Sequence, residues 1–235
     1  MLWKSSLPES LEIDGRRLTL KVRRDTRARR LILRVDPADG GVALTIPRGT
    51  SNRTAIDFLE RHEGWIAGRL HKLPPLTPFT HGAAIPILGD LHRIEHRPDA
   101  RGGVWREEQV VFVTGKPEHL QRRLTDYLKG EARKVCRTRS EALAGKIGEK
   151  VTRVTVRDTR SRWGSCSTSG ALSFSWRLIM APEAVLDYVI AHEVAHLRHH
   201  DHSPSFWRLV SELVPDHQAQ RRWLKREGSL LWRFG

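Results

Sequence analysis

Leu18, Leu20 and Val22 alternate with Arg17, Thr19, Lys21 and Arg23, the two-residue period of a strand with one buried face. The polar run RRDTRARR then supplies a reversal into LILRVD, and PADGG (37–41) supplies a second into VALTIP. Together these segments predict a short antiparallel meander with a basic outer face. Over residues 50–73 the period lengthens. Ile56, Leu59, Trp65, Ile66 and Leu70 make the apolar side of one helix, which PPLTP (74–78) ends. Strand-like pieces return at 84–96 and 110–113, and residues 117–145 read as a helix striped by Leu120, Leu124, Leu128 and Val135.

The last third carries the clearest punctuation. VTRVTVRD (151–158) reads as a strand, RSRWGSCSTSG as a turn-rich connection, and ALSFSW (171–176) as a second strand. Pro182 stands where a helix start tolerates it, and PEAVLDYVIAHEVAHLRHH runs on without another Gly or Pro. Leu186, Ile190, Val194 and Leu197 form one packed side of that helix. Ser203 and Pro204 then make an N-cap and first-turn pair opening a final helix, with Phe206, Val210 and Leu213 on one face. No internal repeat or low-complexity segment is visible.

Composition narrows the class. With 39% hydrophobic and 29% charged residues over 235 positions, the chain has the material for a globular core and a charged surface. No run of about 18 apolar residues is present, so no transmembrane helix is expected. The opening residues lack the apolar segment of a signal peptide. Cys136 and Cys166 form no CxxC pair, and the expectation is a reducing, cytoplasmic location without disulfides. The net charge of +14 is spread evenly along the chain, so it is not a detachable tail. Residues 16–34 hold nine Arg or Lys against Asp25 alone, a face suited to polyanions, nucleic acid included, but without aromatics for base stacking.

Candidate chemistry lies in HEVAHLRHHDH (192–202). His192 and His196 are four apart on a predicted helix and share a face, with Glu193 beside them. HExxH in this setting means two neutral imidazole ligands for a metal and a carboxylate general base for water. His199 shares the face, but a straight helix would start it about 10.5 Å from His192, too far for three rings to meet one ion. His202, past the expected helix end, is the preferred third ligand, with Glu212 next. His199 and His200 read as exposed residues of the helix C-terminus. Cys166 could close the site as a fourth ligand if the metal were structural. Arg162, Trp163 and Tyr188 are unranked candidates for oxyanion stabilisation, and Asp187, Asp201 and Asp216 for orienting the ligand rings.

The passage from RSRWGSC through HEVAHLRHHDHSPSFW closely resembles the YgjP-like metallopeptidases, relatives of the SprT-like and WLM zinc peptidases. RARRLILRVDPADGGVALTIPRG is similar to the N-terminal region of the same family. The resemblance implies one Zn2+ ion at His192, His196 and His202, with Glu193 as catalytic base. It also implies that ALSFSW is the edge strand beside the cleft, where an extended peptide could pair. The metzincin pattern shares the His spacing but has Gly where His199 stands.

The fold expectation is α+β: an antiparallel β-rich N-terminal region with one helix (1–115), then a zincin-like region (116–235) with the HExxH helix and a C-terminal helix. The functional expectation is a zinc-dependent endopeptidase acting on polypeptide, with substrates associated with nucleic acid suggested by the family's relatives. The alternative from another class is a nucleic-acid-binding protein with a structural zinc.

Overall fold

Alternation in the first fifty residues does produce strands, but their order differs from the expected meander. The computed structural model describes residues 6–160 and 162–235, which fall into two compact units, 1–76 and 77–235.

The first unit contains β1 (Ser10–Ile13), β2 (Arg16–Asp25), β3 (Ile32–Val35) and β4 (Val42–Pro47) in the order β1-β2-β4-β3. Asp14 and Gly15, both with positive φ, make the tight turn joining β1 to β2. β2 then pairs with β4 in parallel, while β3 lies antiparallel on the outer side of β4. The physical reason is burial. Val42, Leu44 and Ile46 are the most deeply buried strand residues here and take the central place, leaving the less apolar ILRV at the edge.

The helical pattern of 50–73 is likewise divided, into α1 (Asn52–Arg61) and α2 (Glu63–His71). His62 leaves helical geometry at the junction (φ −108°, ψ 10°), and its Nδ1 hydrogen-bonds the Phe58 carbonyl at 2.7 Å. The break shifts the buried face. Ala55, Leu59, Ile66 and Leu70 pack on the sheet, whereas Trp65 points out at 41% exposure with the Arg69 guanidinium over its ring.

The second unit begins with β5 (Ala84–Ile87), β6 (Asp90–Arg97), β7 (Val104–Glu107) and β8 (Val110–Thr114), ordered β5-β6-β8-β7 with β6 and β8 parallel. This repeats the order and pairing sense of the first sheet, although the sequence shows no repeat. The division at 76/77 therefore groups these strands with the C-terminal elements, not with β1–β4. Ile85, Ile94, Val111 and Val113 pack against Leu124 and Leu128 of the long helix α3 (Leu120–Lys146) and against Trp176.

The far end of α3 supplies Cys136 and Ala144 to a second core under β9 (Arg153–Arg157), β10 (Gly164–Cys166) and β11 (Ala171–Ser175). The connection RSRWGSCSTSG thus contains a strand. β11, read from the sequence as the edge, is the middle strand, paired in parallel with β9 and antiparallel with β10. Leu172 and Phe174, each 1% exposed, drive it to the centre, and β10 and β9 are the two edges. A 3-10 turn (Trp176–Met180) leads into α4 (Glu183–Ala195), followed by α5 (Pro204–Leu213). One more helix than expected follows, α6 (His217–Arg226), then a 3-10 turn over Gly228–Arg233. The architecture is α+β, and no helix among the described residues is long and apolar enough to cross a membrane.

Candidate metal centre

α4 carries the HExxH residues and is held almost wholly in the core, with Leu186, Ile190 and Val194 at 0% exposure. It ends earlier than its sequence pattern suggests. His196 is the C-cap, and the chain turns through 196–198 before returning toward α5. His199 and His200 therefore lie beyond the helix rather than in its last turn. Ser203 and Pro204 stop the return as expected, with the Phe206 N–H donating to Ser203 Oγ. That loop carries His202 back over α4.

The consequence is a three-histidine cluster. Ligand atoms of His192, His196 and His202 lie within 4.8 Å of one another, and His192 Nε2 and His202 Nε2 are 3.1 Å apart. Phe206, fully buried, packs against all three rings at centroid distances of 4.9, 4.5 and 4.8 Å. No other His, Cys, Asp or Glu joins the group among the described residues. Glu212 is exposed on α5, and the Cys166 thiol donates to the Ser167 carbonyl.

These residues fit a divalent metal. Imidazole nitrogens on one tetrahedral ion stand about 3.3 Å apart, given bond lengths near 2.0–2.1 Å. The 3.1 Å approach of two Nε2 atoms matches that spacing. Burial holds the proton affinity of His192 down to about 3, with the neighbouring His196, His202 and Arg221 adding to the effect, so the ring is neutral and ready to ligate. Burial also lowers His196, although its contact with the His199 carbonyl works the other way.

Orientation of the rings comes from a backbone group. His196 Nδ1–H donates to the His199 carbonyl at 2.9 Å, which leaves Nε2 for the metal. None of the three aspartates considered from the sequence does this work. Asp187 pairs with Arg139, Asp201 accepts from the Ser203 N–H, and Asp216 caps α6 without a side-chain bond. His192 Nδ1 is buried with no partner.

Glu193 lies beside the cluster at 6% exposure. Burial pushes its carboxyl up to about 8, against a smaller opposing pull from Arg162. Its environment depends on Gly164 of β10: a Cβ there would fall 2.5 Å from Glu193 Oε1 and 2.6 Å from Cγ. The sequence reading missed this residue, although a glycine within a strand is itself a signal of close approach by another group. Of the three oxyanion candidates, Tyr188 lies beside the cluster, its ring 6.0 Å from His192, and Arg162 acts on the Glu193 carboxyl. Trp163 instead stacks on Trp232 within the packing. The sequence reading also missed Trp207 and His217, which stack at 5.9 Å beside Tyr188.

A family model described as "YgjP-like, metallopeptidase domain" matches residues 29–227. The class is therefore metallopeptidase, and the protein is of the kind that works with a bound metal. More particularly, the chain belongs to the YgjP-like family. No curated protein and no solved structure matches it.

Proposed function

We propose that the chain is a zinc-dependent endopeptidase, with His192, His196 and His202 as metal ligands and Glu193 as general base. The observation that carries this reading is the convergence of three imidazoles beside a buried carboxylate. An all-imidazole donor set suits zinc, and three protein ligands leave room for catalysis where four would close the site. When bound, the ion supplies Lewis acidity toward a carbonyl and toward water. Glu193, buried next to the proposed ligands, is placed to take a proton from water and return it to the leaving amine. The open edge of β10 offers main-chain groups to an extended peptide, and Gly164 lets that strand lie close to Glu193.

Under the alternative, a nucleic-acid-binding protein with structural zinc, Cys166 would complete a closed site. Its absence from the ligand cluster favours the peptidase. The +14 charge remains compatible with substrates carried on nucleic acid in the cytoplasm.

The test is hydrolysis of an unfolded polypeptide by zinc-loaded protein and by Glu193→Gln with its metal content verified. The expected loss is about 10²- to 10⁴-fold in kcat. Undiminished cleavage by the variant would overturn the assignment of the base.

A further inference from the structure

Two concave basic surfaces lie near the candidate centre, and neither is lined by an acid among the described residues. The first is a cleft of about 480 Å³ on the β9–β11 sheet, where Arg153, Arg157 and Arg162 stand among Thr155, Ser165 and Ser173. Gly164 lines the same cleft and touches Glu193, so one strand, β10, borders both the cleft and the candidate base. Arg162 acts on the nearby Glu193 carboxyl. Arg153 and Arg157 have no carboxylate in salt-bridge range among the described residues. Arg139, Arg177 and Arg198 of the same unit all do.

The second is a groove of about 610 Å³ between α5 and α6, lined by Arg208, Arg221, Arg222 and Lys225. Trp207 connects it to the histidines, with its ring 5.7 Å from His192 and 5.8 Å from His202.

Charge of one sign on both sides calls for an anionic occupant, and two features decide its class. β10 is an edge strand, and a chain added to it would alternate side chains between the Glu193 side and the arginine face. That is a polypeptide's geometry. Stacking surface for bases, by contrast, is missing. The first cleft has no aromatic residue, and in the second the Trp207 ring is covered by Arg221 at 4.7 Å and by His217.

We infer that the substrate is an acidic polypeptide segment, with carboxylate side chains on both sides of the bond that is cut. One side lies in the Arg153–Arg157 cleft, and the other in the α5–α6 groove. This rests on the peptidase reading for the cutting step, but the binding of the acidic segment does not.

The experiment compares three fluorogenic peptides with one central sequence and acidic, neutral or basic flanks, cut by zinc-loaded protein. The expected result is a kcat/KM for the acidic peptide about tenfold above the neutral one, carried by KM and lost as salt screens the charges. In Arg153→Gln/Arg157→Gln and in Arg222→Gln/Lys225→Gln, that ratio should fall toward one. In Arg133→Gln/Lys134→Gln, an equal charge change on exposed α3 positions outside both grooves, it should persist. Equal cleavage of acidic and neutral peptides, or a preference indifferent to the groove variants, overturns the inference.

A parallel measurement uses zinc-loaded Glu193→Gln protein and fluorescence anisotropy of the labelled acidic peptide. If nothing is cut but the peptide binds, and binds more weakly to the groove variants, the peptidase reading fails and the acidic-segment site stands. Tighter binding of a single-stranded oligonucleotide than of the acidic peptide at matched salt overturns it in favour of nucleic acid.

Discussion

At the scale of single residues, Gly164 bears on the proposed catalysis without contributing a side chain. A methyl group there would have to displace the Glu193 carboxyl, and displacements of about 1 Å in a catalytic group cost on the order of 100-fold. Gly164→Ala is therefore expected to lower kcat by about ten- to a hundredfold while metal content stays at wild type, as measured by parallel kinetics and metal analysis. Asp158 gives a residue-scale pH prediction. Burial raises its pKa, but the hydrogen bond and charge of Arg177 outweigh this, and the net result is a lowered value. A lowered folded-state pKa stabilises above the ordinary aspartate range and loses that contribution as pH falls through the folded value. The pair is half open to solvent on the Asp158 side, so Asp158→Asn should cost no more than about 1 kcal/mol at pH 6. Urea denaturation should show the difference shrinking as pH falls below the ordinary aspartate range. The cluster of His192, His196 and His202 was legible at this scale because motif and spacing are local. The partners of these rings were not, because a backbone carbonyl such as that of His199 has no signature in a side-chain alphabet.

At the scale of elements, what the sequence revealed depended on whether the deciding force is local. Ser203–Pro204 was readable because capping is short-range chemistry, and α5 starts there. The end of α4 was not readable. The pattern runs apolar and helix-compatible through Leu197, yet the chain leaves the helix at His196, where its ring engages the His199 carbonyl. Strand order failed for the opposite reason. β2, β3 and β4 each carry a strand pattern, but which lies in the middle is decided by burial against α1 and α2, a nonlocal quantity. In the same way RWGSC, short and glycine-containing, gives too little alternation to be recognised as a strand until β11 pairs with it. The cap offers an element-scale prediction. Loss of the Ser203 hydroxyl, which accepts from the Phe206 N–H, should cost about 0.5–1 kcal/mol of stability. Because the same turn returns His202 to α4, Ser203→Ala should also weaken metal affinity by a few-fold, read by competition with a chromogenic chelator.

At the scale of the molecule, the class was legible and the organisation was not. The α+β character, the HExxH helix and the family were all evident in the sequence. The partition was hidden, because nothing in the residues 84–114 announces that Ile85, Ile94 and Val111 bury themselves against α3. The two four-stranded sheets share one order and pairing sense with no visible sequence repeat, as happens when topology is maintained by burial pattern alone. The proposed ligands all belong to the second unit, which gives a prediction for the whole chain. At zinc a hundredfold above its dissociation constant, binding contributes about 2.7 kcal/mol to the native state. Chelation should therefore lower amide hydrogen-exchange protection in α4 and α5 and leave that in β2 and β4 unchanged.

The tight turn after α4 also has a bearing on the order in which the site is built. His192 and His202 are ten residues apart, so bringing their rings together closes only a short loop. The contact between Glu193 and Gly164 is different, since it waits for β10 to dock on β11 and for that sheet to meet α4. Short-range closure is fast and long-range docking slow. During folding, then, the proposed metal grip is available before the base is seated, and a nascent chain can be loaded before it can cut.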